Sequence, residues 1–344
     1  MSAGENQAAW LLSEKGAIEV GAAEIAQPEA GQTQAAPVQP VEVKIAKLAV
    51  LKLSYPTVLG STAGGFVEAV GEGVTKVRVG DRVVAGTNAY PSKGVAKYGS
   101  QQRYTIADAR ECVLIGDLDF AVAVASCAQT PPAALFARST LGMERPVDAL
   151  HPTPKLKKIY ISGGSSAMGL LAIGYAKQAG YTVVTTCSPH NFPLVHERGA
   201  DYVYDYHNDG TPAKIHDLLP IDYWLDTVSL PSSMELLIKI LTPPGRQVVK
   251  ARIITLLPPT MPGMPKLPDG VTAEMMLFRN KAEENQELVD WLLASGGYME
   301  RGLKGGWIRG VPPERLGGLD QYAAGVERMS QGVSGKKLVI EPWT

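Results

Sequence analysis

Between Gly163 and Asn191 the chain collects small, hydroxyl-bearing and amide side chains at a spacing suited to a phosphorylated nucleotide. The run ISGGSSAMG puts small residues where a strand would turn into a helix. In the pattern G-x-G-x-x-G the glycines would stand at Gly164, at position 166 and at Gly169. Position 166 holds Ser166. A glycine there lets the backbone approach a pyrophosphate closely, whereas a serine holds it slightly further off and offers a hydroxyl that can donate to it. Ser165 and Ser166 are therefore expected as phosphate contacts. Gly164 in the turn and Ala167 and Met168 at the helix start complete the cradle. The competing reading is an ordinary strand-turn-helix that binds no nucleotide.

The next strand end decides which nucleotide. An NAD site usually carries Asp or Glu about twenty residues after the first glycine, to bind the ribose 2′-hydroxyl. Here that region reads Thr185-Thr186-Cys187-Ser188, with no acid. A carboxylate would repel a 2′-phosphate, while hydroxyl, amide and imidazole groups can donate to one. Ser188, His190 and Asn191 supply those groups, and the expectation is NADPH over NADH. For His190 a helix-cap or surface role is the alternative.

These groups need rigid elements behind them. Ile159 to Ile161 reads as a buried strand, and Met168 to Ala179 is apolar at helical spacing and stops at Gly180. Tyr181 to Thr186 follows as a second strand. Ile221 to Leu225, ending at Asp226, and Val248 to Lys250, after the breaker Pro243-Pro244-Gly245, read as further strands. Ser232 to Leu241 reads as a helix. Strands alternating with helices imply an α/β fold with a doubly wound parallel sheet. Residues 1 to about 110 read instead as β-rich, with Gln7–Leu12, Val41–Ile45 and Phe66–Val70 as strand-like runs. Towards the C-terminus, Ala282–Ala294 and Leu319–Gln331 read as helices and Lys337–Ile340 as a final strand.

With 344 residues, two domains are the natural expectation. Hydrophobic residues at 45% and charged residues at 19% suit a globular chain with a sizeable core. A net charge of −1 gives no reason to expect nucleic acid or membrane partners. Cys112, Cys127 and Cys187 lie too far apart for a metal or disulfide framework, and are expected to be reduced thiols in a cytoplasmic protein. Neither a signal peptide nor a membrane-spanning run is evident.

The stretch VLGSTAGGFVEAVGEGVTKVRVGDRVVAG resembles the GroES-like substrate domain of the medium-chain dehydrogenase/reductase superfamily. The stretch from ISGGSSAMG to GADYVYDYH resembles its cofactor half, and VSGKKLVIEP its closing strand. The CSPHN and GVSGKKL motifs make the likeness strongest to zinc-free fungal members, trans-acting enoyl reductases and ToxD-like oxidoreductases. The resemblance implies a Rossmann domain inserted into a GroES-like domain, with boundaries at 1–124, 125–273 and 274–344. It also implies that Tyr206 joins the adenosine phosphate site, that Lys250-Ala251 lies near the nicotinamide, and that Val333-Ser334 touches the cofactor. Zinc-dependent relatives need a Gly-His-Glu segment and clustered cysteines. Gly60-Ser61-Thr62 stands in that place here, and no metal is expected.

The substrate half departs from the family pattern. Relatives usually have a longer segment at Val41–Pro56, with A-x-N-P-x-D and a following lysine lining the active site. Lys47 and Lys52 are the candidates for that lysine, each with a solvated surface role as alternative. Where relatives have G-S-D-x-A-G, this chain has Gly60-Ser61-Thr62-Ala63-Gly64. Thr130, in Cys127-Ala128-Gln129-Thr130-Pro131-Pro132, is displaced from the family's nicotinamide-contacting threonine. Lys52 and Thr130 are taken as the catalytic candidates. Two functions stay open. One is NADPH-dependent reduction of an α,β-unsaturated carbonyl, on a hydrophobic or carrier-bound polyketide substrate, beside a polyketide synthase. The other is a protein on the same scaffold that no longer transfers hydride and acts as a cyclase, isomerase or metabolite-binding partner. The Pro- and Met-rich run Leu256–Gly270 is expected either to meet a bulky apolar ligand or to be a surface loop.

Overall fold

The structure, a computed structural model, describes residues 5–26, 30–276 and 283–344. The chain forms two compact units. The first comprises Met1–Cys127, Asp290–Gly306 and Pro312–Thr344, and the second Ala128–Val289 and Trp307–Val311.

The first unit begins with β1 (Asn6–Leu11), β2 (Ile18–Ala23), β3 (Ala30–Pro37), α1 (Pro40–Leu48), β4 (Thr57–Val58), β5 (Thr62–Val67), β6 (Arg82–Thr87), β7 (Tyr104–Leu114) and α2 (Phe120–Ser126). β5, β6 and β7 form an antiparallel meander, and β3 pairs with both β5 and β7. The four strands thus close on themselves, so no edge among them is left unpaired. Val67, Val77, Val83, Ala85 and Cys112 fill the space between them.

The run Val41–Ile45, expected as strand-like, is helical instead. Pro40 sits at the first helical position, where its missing N–H costs nothing, and Glu42 places an acid in the first turn. Ile45 and Ala46 then pack with Val38, Tyr322, Leu338 and Ile340. The β-branched residues that suggested a strand are outweighed by the N-terminal signals and by this burial.

The second unit contains α3 (Thr130–Phe136), β8 (Lys158–Ser162), α4 (Ala167–Gln178), β9 (Thr182–Thr186), α5 (Phe192–Glu197), β10 (Tyr202–Tyr204), α6 (Thr211–His216), β11 (Tyr223–Asp226), α7 (Pro231–Leu241), β12 (Ala251–Thr255) and β13 (Val271–Met275). Its sheet runs β10-β9-β8-β11-β12-β13, every pair parallel. The order reverses at β8, so the crevice for a ligand opens at the carboxyl end of that strand. Tyr160, Trp224, Leu237, Ile240 and Ile253 form the core on one face.

Two boundaries move relative to the sequence reading. The fifth strand in chain order begins at Ala251, so Val248–Lys250 precede it. β13 adds a sixth strand, and the chain returns to the first unit at Asp290 rather than near Ala273. The Pro- and Met-rich run lies between β12 and β13, with Met264 and Leu267 folded back onto the core.

The return consists of α8 (Gln286–Leu293), α9 (Tyr298–Lys304), β14 (Pro313–Gly317), α10 (Tyr322–Ser330) and β15 (Lys337–Ile340). α8 falls within the expected Ala282–Ala294 helix, whose first residue lies outside the described residues. β15 pairs with β3 and β14, which ties the C-terminus into the first unit.

Candidate active site

In the second unit, the turn after β8 is built by close approach. Gly163 has a φ of +71°, and a Cβ there would lie 2.5 Å from Val228. At Gly164 a Cβ would meet the Thr185 hydroxyl at 2.4 Å, and at Gly169 the Gly163 carbonyl oxygen at 2.2 Å. The last contact packs α4 directly onto the strand end. Ser166 is the N-cap of α4: its Oγ accepts from the Gly169 N–H at 2.9 Å and pairs with Thr227 Oγ1 at 3.0 Å. Thr227 in turn donates to the Ser162 carbonyl at 2.6 Å. The Ser166 hydroxyl is therefore spent inside the fold, not held ready for a phosphate. Ser165 is buried beside it. What the turn offers an anion is backbone: the Ala167 and Met168 N–H groups precede any carbonyl of the helix that could accept from them, and the positive end of the α4 dipole lies there.

β9 and β10 run parallel with Thr186 opposite Tyr204. That register brings Ser188 and Tyr206 out at the same carboxyl edge, where their hydroxyls lie 3.1 Å apart. Tyr206 is 46% exposed. His190 is exposed in a single turn spanning Pro189–Asn191, and Asn191 is buried beneath it. Cys187 is buried, and burial pushes its thiol up to about 12. Asp205, the carboxylate next to Tyr206, is occupied by the His207 ring at 3.1 Å.

The other expected contacts lie on other elements. Lys250 and Ala251 stand at the amino end of β12, whereas its carboxyl end is Thr255. Val333 and Ser334 belong to the first unit, in the loop between α10 and β15. Thr130 is the first residue of α3 and partly exposed.

The first unit carries a different grouping. Gln39, the N-cap of α1, donates from Nε2 to Ser61 Oγ at 3.3 Å and to Thr62 Oγ1 at 3.4 Å. Behind it Glu42 is wholly buried. Its Oε2 accepts from the Tyr322 hydroxyl at 2.8 Å and from Gln101 Nε2 at 3.4 Å. Burial raises the Glu42 carboxyl to about 7, against the pull of Tyr322, the Lys337 ammonium, the Gln39 N–H and Gln101. Despite the nearby Gln39 N–H, its Oε1 has no full hydrogen bond among the described residues. Lys337, buried in the same region, is lowered to about 8 by desolvation. Lys44, further along α1, is partly buried and lowered by desolvation.

Lys52 is exposed in the loop after α1, and Lys47 pairs with Glu327 and Ser330 at the surface. Sequence reasoning passed over Gln39, Glu42 and Lys44. The signal was present: Gln39-Pro40-Val41-Glu42 is N-P-x-D with each polar residue one methylene longer, and Lys44 follows it. An acid three residues after a cap, with proline between, marks a helix start rather than a lost loop.

Among the described residues no group of three or more His, Cys, Asp or Glu could hold a metal ion. All five histidines (151, 190, 196, 207 and 216) lie in the second unit. The donor set around Gln39, Ser61 and Thr62 does not fit zinc. No helix among those residues is long and apolar enough to cross a membrane.

Comparison with known proteins bears on both units. Residues 32–117 match the alcohol dehydrogenase GroES-like domain, and residues 167–294 the zinc-binding dehydrogenase family. Dehydrogenase azaJ of Aspergillus niger is 33% identical over 301 residues, 84% of this chain and 83% of that protein. Trans-enoyl reductase himH of Aspergillus japonicus is 27% identical over 295 residues, 84% of this chain and 82% of its own. Among solved structures, a mycobacterial protein complexed with NADPH aligns at a TM-score of 0.72 and 18% identity, covering 98% of this chain and all of that one (100%).

Proposed function

The chain belongs to the medium-chain dehydrogenase/reductase superfamily, and we propose that within it the protein is an NADPH-dependent reductase of α,β-unsaturated carbonyl compounds. The observation that carries the cofactor choice is the Ser188–Tyr206 hydroxyl pair beside His190, with no acid in Thr185–Ser188. A 2′-phosphate meets donors there instead of a carboxylate. The likeness to a trans-enoyl reductase supports the reaction class.

The residues fit a dinucleotide. Gly163, Gly164 and Gly169 let the turn and α4 pack closely against the sheet, and the Ala167 and Met168 N–H groups at the helix start would hold a pyrophosphate. Ser188, His190, Asn191 and Tyr206 would surround the 2′-phosphate. When bound, the nicotinamide supplies a hydride. The protein's part is to bind, orient and exclude water, and to offer donors to the acceptor's carbonyl as charge develops on its oxygen. Lys44 takes the place of the family's lysine in this proposal, ahead of Lys52, because it is partly buried on α1 while Lys52 is in water. A hydrophobic, polyketide-derived acyl group, free or carrier-bound, is the substrate class this reading favours, with a polyketide synthase as the partner supplying it.

The experiment is a coupled measurement. NADPH and NADH affinities are titrated by fluorescence, and NADPH absorbance is followed with short and medium-chain enoyl thioesters. Oxidation of NADPH by an enoyl thioester, with NADPH bound at least about tenfold more tightly than NADH, is expected. Tight NADPH binding with no oxidation across the thioester series overturns the reductase reading.

A further inference from the structure

The first unit has no histidine, so polar chemistry there rests on hydroxyls, amides, carboxyls and ammonium groups. Its Gln39–Ser61–Thr62 grouping has donor capacity left over. The Gln39 carboxamide nitrogen carries two hydrogens, and both are directed at hydroxyl oxygens, Ser61 Oγ at 3.3 Å and Thr62 Oγ1 at 3.4 Å. A hydroxyl that accepts still has its own hydrogen to give, and accepting strengthens it as a donor. Among the described residues neither hydroxyl has a further hydrogen-bond partner, and all three side chains are partly exposed.

The backbone explains how two consecutive hydroxyls reach one amide. Successive residues of a strand point to opposite faces. Here the chain enters β5 through Gly60 at a φ of +96°, so Ser61 stands outside the alternation that Thr62 begins. A Cβ at position 60 would lie 2.1 Å from the Ser100 hydroxyl, which fixes that entry as glycine. The Ser61 carbonyl accepts from the Thr87 N–H at 3.0 Å, and Thr62 pairs with Gly86. The two donors are thus mounted on sheet, and the amide that aligns them is mounted on the capped start of α1.

We infer that the Ser61 and Thr62 hydroxyls, aligned by Gln39, form a two-donor site for the carbonyl oxygen of the substrate. The inference rests on the proposed reduction of an unsaturated carbonyl. Thr62 stands where the family pattern has an aspartate, and the exchange matters chemically. An ionised carboxylate only accepts and would oppose negative charge on the substrate oxygen, whereas a hydroxyl donates to it.

The test uses the full chain and three forms of it: wild type, Gln39→Glu, and Ser61→Ala combined with Thr62→Val. A glutamate at position 39 keeps the shape but accepts, so it draws the two hydroxyl hydrogens toward itself. The probe is the crotonyl thioester of N-acetylcysteamine, labelled with carbon-13 at the carbonyl. It is bound in the presence of NADP⁺ so that no turnover occurs. Infrared difference spectra are expected to show the carbonyl band at lower wavenumber on wild type, returning toward the free position in both altered forms. With NADPH, kcat is expected to fall at least about tenfold in both, with NADPH affinity unchanged. A wild-type band at the free position, or an equal shift in all three proteins, overturns the inference. The two readings separate: a shifted band without NADPH oxidation sinks only the reductase reading, and oxidation without a shift sinks only the donor site.

Discussion

In the proposed reading the two units would hold a polar ligand in opposite ways. The second uses backbone: glycines that admit no side chain, a capped helix start, and a register that sets Ser188 beside Tyr206. The first uses side chains arranged in depth, with Gln39 touching Ser61 and Thr62 while Glu42, Gln101 and Tyr322 sit buried behind them. A backbone site tolerates exchange of the polar side chains around it but no added methyl in the turn. A side-chain site tolerates small steric changes but no loss of a buried partner.

The sharpest way to break that contrast is Gly169→Ala. The added carbon meets a backbone carbonyl at 2.2 Å, which cannot rotate away. Loss of measurable NADPH binding is expected, together with destabilisation of about 1–3 kcal/mol by thermal or denaturant unfolding. A variant that binds NADPH normally would show that the turn does not need the close approach.

The largest effect on stability is expected at Glu42→Ala, which leaves the buried Tyr322 hydroxyl without its acceptor while Gln101 keeps the Pro37 carbonyl at 3.2 Å. A cost of about 2–4 kcal/mol is expected in chemical denaturation. The isosteric Glu42→Gln isolates the charge. The carboxyl is raised from 4.5 to about 7 in the folded protein, so between those values the native state binds more protons than the unfolded one. Its contribution to stability is therefore present in acid and lost as pH rises through about 7. The Lys337 ammonium, lowered to about 8, acts oppositely above that point, since there the unfolded state holds more protons. Wild type is expected to lose stability from pH 5 to 7, and Glu42→Gln to flatten that slope; equal slopes would show that Glu42 does not titrate in this range.

A smaller effect tests the nucleotide choice. Ser188→Asp puts a carboxylate at the carboxyl edge of β9 and should shift the NADPH-to-NADH affinity ratio by about tenfold, or about 1.4 kcal/mol. The smallest effect is expected at Lys52. Lys52→Ala should leave kcat and unfolding midpoints unchanged, while Lys44→Met lowers kcat; the reverse result would return the lysine role to the exposed loop.

How much of this was legible differs between the units for the same reason. Glycines and apolar helical spacing are local signals, and they identified the β8–α4–β9 segment from its own residues, whereas Ser166, expected as a phosphate contact, caps α4. Lys250 and Ala251, placed near the nicotinamide by resemblance, stand at the amino end of β12, which starts three residues later than the apolar run Val248–Lys250 suggests. The helix at Pro40 was hidden by valines and isoleucine, residues equally at home in strands. What settles it is a long-range fact: Ile45 packs against Leu338 and Ile340, almost the whole chain away. The run Gln39–Glu42 signals a helix start, but the burial of Glu42 could not be read from it, because its partner Tyr322 is 280 residues distant.

The placement of all five histidines in the second unit has a practical consequence. Imidazole carbon-bound protons resonate apart from most others in a proton NMR spectrum, so these few signals form a reporter confined to one half of the molecule. Perturbation of the His190 resonance on adding NADPH would register nucleotide arrival there.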